Sequence, residues 1–274
     1  MRIKMIAFDL DGTVLRTDKS VSRRTVEALS RAAAQGCVVL PASGRVASNI
    51  PEEVLSFPGV RFLLTSNGAS VIDRETGTTV YTNLMTEEET GILLRRLYEE
   101  GCFVEAYRGG KAYSDRLALP RLHALHPSED LLAFLKRSQI FVDDLPQYAA
   151  EHSFRLEKVN VPMLPSLLAA RLNREFEAGG MFSTCSSFPG NIEVNRAGCS
   201  KGAALEHLCN RLGIDREEVM TLGDSGNDLA MLRFAGLGVA VKNATPEILA
   251  AADFVTAAND EDGAALAVER FVLA

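Results

Sequence analysis

At 274 residues, 47% of them hydrophobic and 24% charged, the chain has room for one large or two ordinary domains and the balance of a soluble globular protein. A formal net charge of −7 argues against nonspecific binding to nucleic acid or to an anionic membrane, which need clustered Lys and Arg. It leaves room for a small anionic substrate in a locally positive pocket. Five scattered cysteines, Cys37, Cys102, Cys185, Cys199 and Cys209, show no CxxC spacing, which fits reduced thiols in a cytoplasmic protein and not a disulfide framework or zinc site. The first apolar stretch is cut by Asp9 too early for a signal peptide, and no apolar run long enough for a transmembrane helix is read.

The first element, Ile3-Lys4-Met5-Ile6-Ala7-Phe8, reads as a buried strand that stops at Asp9-Leu10-Asp11-Gly12-Thr13. A charge is costly inside a buried strand, so Asp9 is expected at or beyond its end, where open α/β sheets bind ligands. Side chains two apart leave the same face of extended backbone, so Asp9 and Asp11 meet there. Two close carboxylates repel unless a cation lies between them, and a hard ion such as Mg2+ is the economical answer. Taken alone, the segment also reads as a plain Asp-Gly turn.

Ser22 caps a helix to about Gln35. Cys37–Ala42 reads as a second strand ending at Ser43-Gly44-Arg45, and Arg61–Ser66 as a third ending at Asn67-Gly68-Ala69. Three strands with helical crossovers predict a parallel sheet whose loops meet at one edge. Val71–Asp73 and Thr78–Tyr81 read as a hairpin. The order then becomes α+β. A helix over Thr86–Glu100 is followed by strand pieces at Cys102–Tyr107 and Ala112–Ser114, a helical piece at Pro127–Lys136 and a strand at Gln139–Val142. A helix over Leu164–Glu177 and strands at Met181–Cys185 and Asn191–Asn195 complete it. Residues 83–190 are therefore expected to form a second domain inserted into a core of residues 1–82 and 191–274. Alternation of β and α resumes at Ser200, which caps a helix with Lys201 in its first turn. The strand Val219–Leu222 ends in Gly223-Asp224-Ser225-Gly226-Asn227-Asp228. A helix to Phe234, a strand at Gly238–Val241, a helix capped by Thr245, a strand at Asp253–Thr256 and a last helix opened by Asp260 or Glu261 follow.

Four strand ends thus carry unusual groups, and Asp9, Asp11, Asp224 and Asp228 bring four carboxylates to one edge. A divalent cation, Lys201 and Arg45 would balance them, and with free N–H groups in glycine-rich turns the set suits a phosphoryl group. Arg45 fits equally a place beside the phosphate or a structural ion pair, and Asn67 an active-site contact or a turn. Asn243 is expected to shape a loop, and Asp260 and Asp262 to cap the last helix. His123, His126, His152 and His207 show no ligand spacing. In the inserted domain, Arg108, Lys111 and the turn Ser186-Ser187-Phe188-Pro189-Gly190 are candidates for substrate contact, none stronger than an ordinary exposed basic residue or loop.

In order, Asp9-Leu10-Asp11-Gly12-Thr13, Ser43-Gly44-Arg45, Lys201-Gly202 and Gly223–Asp228 resemble the four motifs of the haloacid dehalogenase superfamily of aspartate-nucleophile phosphatases. The position of the insertion, with Asn67-Gly68-Ala69 and Lys242-Asn243-Ala244, resembles the Cof-like sugar-phosphatase subgroup. The second motif has Ser43 where the family often has threonine, and the hydroxyl is kept. The resemblance implies an α/β fold, a doubly wound Rossmann-like parallel-sheet core with an inserted α+β cap that selects the substrate. It implies a cytoplasmic, Mg2+-dependent phosphatase of small phosphorylated metabolites such as sugar phosphates. In that scheme Asp9 attacks phosphorus to give an aspartyl-phosphate and Asp11 is the general acid and base. Mg2+ would be held by the Asp9 and Asp224 carboxylates and the Asp11 carbonyl, with Asp228 orienting a ligand water. The Leu10 and Gly44 N–H groups, Ser43, Lys201 and Asn227 would hold phosphoryl oxygens, with Arg45 on the same side. The alternatives are a phosphotransferase or phosphomutase using the same aspartyl-phosphate, and a non-catalytic protein that binds a phosphometabolite.

Overall fold

The computed structural model describes residues 2–187 and 190–274; Phe188 and Pro189 of the expected Ser186–Gly190 turn lie outside the described residues. By its contacts the chain divides into two compact units. The first comprises Met1–Arg45, Ile50–Thr82 and Ser200–Ala274, and the second Val46–Asn49 and Asn83–Cys199.

The first unit opens with β1 (Met5–Phe8), α1 (Arg23–Ala34), β2 (Val38–Pro41), α2 (Glu52–Leu55), β3 (Phe62–Thr65), β4 (Ser70–Asp73) and β5 (Thr78–Thr82). The second holds α3 (Glu87–Glu99), β6 (Glu105–Arg108), β7 (Lys111–Asp115), α4 (Leu119–His123), α5 (Glu129–Ser138), β8 (Gln139–Val142), α6 (Leu145–Glu151), β9 (Lys158–Val161), α7 (Ser166–Ala178), β10 (Phe182–Cys185) and β11 (Ile192–Arg196). The first then closes with α8 (Lys201–Leu212), β12 (Val219–Gly223), α9 (Leu229–Phe234), β13 (Leu237–Ala240), α10 (Pro246–Ala251), β14 (Phe254–Val255) and α11 (Gly263–Phe271).

The central sheet of the first unit is parallel in the order β14-β13-β12-β1-β2. Alternate side chains of β1 go to opposite faces. Ile6 and Phe8 pack with Ala28, Leu29 and Ala32 of α1 and Ala264, Ala265 and Val268 of α11. Met5 and Ala7 pack with Ala204, Leu205 and Leu208 of α8 and Met231 and Leu232 of α9. Both faces are covered by helices, which is why β1 is apolar at every position and why the fold is the doubly wound α/β type. The neighbours of β1 come from opposite ends of the unit's sequence, β2 on one side and β12 on the other. That reversal is where such sheets open a crevice at the carboxyl ends of their strands.

One expectation about the sheet is corrected in part. β3 runs parallel to β2 as expected but meets it only in isolated bridges; its regular ladder is antiparallel with β4, and that of β4 with β5, in a three-stranded sheet. Isolated parallel bridges, Val39 to Val60 and Ala42 to Leu64, are what join it to the β2 strand. The turn over residues 66–68 sends the chain straight back as β4, and the antiparallel ladder follows from that short connection.

The second unit is a six-stranded sheet in the order β10-β11-β9-β6-β7-β8. One face carries Ala106, Val159, Val161, Ile192 and Val194, packed under Leu93, Leu94 and Leu97 of α3 and Leu172 and Phe176 of α7. The alternate positions are polar and still buried: Glu105, Lys158, Asn160 and Glu193. They are paired with one another. Lys158 Nζ lies 3.0 Å from Glu193 Oε1, and Asn160 Nδ2 donates to Glu105 Oε1 at 2.8 Å. The unit reaches beyond the expected limit at residue 190, to Cys199, because β11 pairs with both β9 and β10. It also takes in Val46–Asn49: Val46 packs with Tyr107 and Ala112, and the Ser48 N–H donates to the Gly110 carbonyl at 3.1 Å.

Burial pushes the Glu105 carboxyl up to about 7, against the hydrogen bond from Asn160 and the charge of Lys158, while Glu193 adds to the rise. A carboxyl raised on folding binds more protons in the native state, so its stabilisation is complete below the unfolded value near 4.5 and is lost as pH rises to about 7. Glu105→Gln cannot titrate. The stability difference between wild type and this variant should therefore change by up to about 3 kcal/mol between pH 4.5 and pH 8, in the variant's favour as pH rises. Denaturant titrations of both proteins at several pH values test this; parallel pH profiles would exclude a titrating Glu105.

Candidate active site

β1 stops at Phe8, but the Asp9 N–H still continues the ladder to the Leu222 carbonyl at 2.9 Å. Asp9 therefore stands at the first position past the strand, only 5% exposed. On the neighbouring strand, β12 ends at Gly223 and Asp224 follows. Asp228 lies in the short turn after it, and its Oδ2 accepts from the N–H groups of Asp224 at 2.9 Å and Ser225 at 3.0 Å. Ser200 caps α8 by accepting from the Ala203 N–H at 3.1 Å, which starts the helix at Lys201. The Lys201 side chain is fully buried, and its ammonium lies 2.6 Å from both Asp9 Oδ1 and Asp228 Oδ1. A buried lysine is tolerated because two carboxylates receive it.

The loop after Asp9 is held from several sides. Leu10 is buried in the core, and its carbonyl accepts from the N–H groups of Val14 and Leu15. Thr13 Oγ1 donates to Asp224 Oδ1 at 2.8 Å. Gly12 has φ +84°, and a Cβ there would stand 2.7 Å from Asp224 Oδ2, so only glycine lets this turn approach the carboxylate. Asn243 donates to the Gly12 carbonyl at 2.8 Å and accepts from the Asn259 N–H at 2.9 Å, a tie between two loops. Asp260 accepts from Thr17, and Asp262 accepts from Arg16. Asp262 occupies the position before α11 without a side-chain cap bond, so these two aspartates brace the first loop and do not cap the helix.

Ser43 follows β2, is buried, and its hydroxyl accepts from the Arg45 N–H at 3.1 Å. Arg45 forks onto Asp11, Nε to Oδ2 at 2.7 Å and Nη2 to Oδ1 at 2.8 Å, and Lys19 adds a contact to Oδ1 at 3.0 Å. Of the two readings open for Arg45, the ion pair is the one seen. It draws the Asp11 carboxylate to itself, while Asp9, Asp224 and Asp228 each offer an oxygen within 4.8 Å of one another. Asn227 accepts from Ser225 Oγ at 2.9 Å and donates through Nδ2 to Asn67 Oδ1 at 3.1 Å.

Burial and neighbouring charge together set the protonation of this cluster. Burial pushes the Asp9 carboxyl well up; Lys201 opposes this, and Asp228 and Asp224 reinforce it. Burial pushes Asp224 up to about 6, with Asp228 adding and the Thr13 hydroxyl opposing. Burial alone would lower Lys201, but Asp228 and Asp9 more than reverse it, so it stays a cation. Asp11 is also raised by burial, yet the Arg45 and Lys19 contacts prevail and hold it down at about 2. One ammonium among three carboxylates leaves a deficit of positive charge, and the oxygens on offer are those a hard cation takes. Both oxygens of Asp228 are already engaged by Lys201 and by backbone N–H groups. Asp9 and Asp224 are therefore the better direct ligands, and the donor set fits a divalent cation.

Within the second unit, Arg108 stacks on Phe154 at 4.3 Å from its ring centre and donates to the His152 carbonyl, and Lys111 starts β7. His152 stacks on Tyr148, and His207 sits beside Tyr81. None of the four histidines joins the carboxylate group among the described residues. Ser186 and Ser187 bond Asn191 and Glu193.

Residues 6–268 match the family of haloacid dehalogenase-like hydrolases. The chain belongs to that family, in its Cof-like branch. Phosphatase YwpJ of Bacillus subtilis is 31% identical, with 96% of this chain and 98% of that protein covered. The 5-amino-6-(5-phospho-D-ribitylamino)uracil phosphatase YcsE of the same organism is 29% identical over 99% of this chain and 96% of its own length. A solved haloacid dehalogenase-like hydrolase from B. subtilis superposes with a TM-score of 0.86 at 26% identity, covering 98% of this chain and all of that one.

Proposed function

We propose that this protein is a Mg2+-dependent phosphomonoester hydrolase of small phosphorylated metabolites that works through a phosphoryl group carried on Asp9. The observation behind the reading is the Asp9 carboxylate, buried past the end of β1, with the Lys201 ammonium 2.6 Å away and Asp224 and Asp228 beside it. A carboxylate so held is a nucleophile of fixed direction, and Lys201 and a cation would offset charge at the phosphoryl oxygens. The phosphatase names of relatives that align over nearly the full chain support the same class.

Asp9 forms the new oxygen–phosphorus bond as the bond to the leaving oxygen breaks, and that oxygen takes a proton from Asp11. Water then attacks phosphorus, gives its proton to Asp11, and releases Asp9 and phosphate. Beside Arg45 and Lys19, Asp11 is an anion at neutral pH, which suits the second half. To donate in the first half it must part from Arg45, since leaving that fork raises its carboxyl. Asp9 and Asp224 would hold Mg2+, which when bound offsets carboxylate and phosphoryl charge. The Ser43 hydroxyl, the Gly44 and Leu10 N–H groups, Lys201 and Asn227 would receive phosphoryl oxygens. The second unit is the cap that selects among substrates, sugar phosphates and similar compounds. Among the described residues no helix is long and apolar enough to cross a membrane.

A panel of sugar phosphates, nucleotides and cofactor phosphates, assayed for phosphate release with and without Mg2+, tests the proposal. Release should need the metal, stop with a chelator and return when Mg2+ is restored. Release that persists in excess chelator would mean that the carboxylates serve another purpose.

A further inference from the structure

Backbone strain in the first unit gathers at the end of β3. Ser66 and Asn67 hold φ of 52° and 60°, and Gly68 follows at 96°. Consecutive side-chain-bearing residues persist in that region only where their surroundings over-determine them, and such turns cluster at functional sites. Ser66 and Asn67 are both buried. The Ser66 N–H donates to the Arg45 carbonyl at 2.9 Å, and the Asn67 N–H to the Ser43 carbonyl at 3.1 Å. At Gly68 a Cβ would come within 2.2 Å of the Ser200 carbonyl and 3.0 Å of the Lys201 nitrogen. Asn67 Oδ1 accepts from Asn227 Nδ2 at 3.1 Å. One three-residue turn therefore touches the segments that carry Ser43, Lys201 and Asn227.

We infer that Asn67 is a positioning residue for the phosphate-side donors, acting through the Asn227 amide. This rests on the reading above that Asn227 receives a phosphoryl oxygen. The Asn227 carbonyl oxygen accepts from the Ser225 hydroxyl, and one Nδ2 hydrogen goes to Asn67. Both ends of the amide are then fixed, its two orientations are no longer equivalent, and the second Nδ2 hydrogen is left to point at an anion. The backbone requirement alone would be met as well by glycine. Asparagine adds the acceptor that glycine lacks, and that difference makes the inference testable.

The experiment is a double-mutant cycle on the affinity of Mg2+-loaded protein for inorganic phosphate, measured by titration calorimetry in wild type, Asn67→Gly, Asn227→Ala and the double variant. Asn67→Gly keeps the left-handed turn and removes the side-chain amide, and with it the acceptor for Asn227. Each single variant should weaken phosphate by about 10-fold, and the double should be no weaker than Asn227→Ala by more than about 2-fold. The Tm of Asn67→Gly should stay near that of wild type, which a merely structural role would not combine with the lost affinity. Wild-type affinity in Asn67→Gly, or losses that multiply in the double variant, would overturn the inference. If Asn67→Gly does not fold, Asn67→Ser carries the same cycle, because its hydroxyl is too short to reach Asn227. Wild-type phosphate release from p-nitrophenyl phosphate separately decides the proposed function. A protein that binds phosphate without releasing it would sink that proposal and leave the cycle to decide this one, whereas a wild type that binds no phosphate would sink both.

Discussion

Asp9→Asn will lower phosphate release by at least about four orders of magnitude without lowering the Tm. The kinetic half follows from the role proposed for Asp9: an amide oxygen does not form the covalent phosphoryl bond, and removal of a nucleophile that works in a unit costs most of the unit's rate enhancement. The stability half follows from the cluster. Burial and the neighbouring Asp224 and Asp228 already disfavour charge on Asp9 when no cation is bound. An asparagine there removes a disfavoured charge, keeps an oxygen for the Lys201 ammonium, and leaves Lys201 paired with Asp228 at 2.6 Å. Phosphate release, thermal melting and the mass of protein quenched during turnover read the two halves together. Wild type should carry a phosphoryl adduct on the peptide containing Asp9, and the variant none. Turnover near that of wild type in Asp9→Asn would end the covalent mechanism.

The centre of this site was legible because its chemistry sits where buried apolar runs stop. β1 is apolar throughout and β12 carries no charge before Asp224, its one polar residue being Thr221, so both strand ends and their carboxylates could be read directly. The side-chain partner of Asp11 was less legible. Its spacing from Asp9 suggests a shared cation, but Arg45, 34 positions along the chain, reaches it with a two-pronged contact, and local spacing carries no information about so distant a partner. β9 was missed for another reason. Lys158-Val159-Asn160-Val161 alternates as a strand should, yet its polar face is buried by pairing with Glu193 and Glu105, so a charged sequence occupies an interior strand. Composition reads such a segment as surface loop, because burial of charge is intelligible only once the partner strands are known. The same holds for β11 and for Val46–Asn49, whose membership in the second unit rests on pairings and packing far away in sequence.

Lys201→Met will destabilise the first unit by about 3–5 kcal/mol at neutral pH and cut phosphate release by about 100-fold or more. Methionine matches the length of the lysine stem and fits the fully buried space, so the change is mainly one of charge. Removing the ammonium leaves Asp9 and Asp228, both nearly inaccessible, facing each other and Asp224 with no counter-charge from the protein. Asp228 matters most for stability, because its other oxygen holds the Asp224 and Ser225 N–H groups, and repulsion in the cluster strains the turn that presents Asp224. A divalent cation supplies charge at the same place, so millimolar Mg2+ should restore part of the lost Tm in the variant and raise the wild-type Tm less. Activity should stay low even then, since a metal held by Asp9 and Asp224 does not replace a donor aimed at the phosphoryl group. Lys201→Arg should not rescue it, because the planar guanidinium is larger than a cavity built around one ammonium. Melting curves with and without Mg2+, taken beside initial rates, separate these effects. A variant as stable and as active as wild type would show that the buried lysine neither balances the carboxylates nor meets the phosphoryl group. A stability loss that Mg2+ does not touch would place the metal away from Asp9 and Asp224.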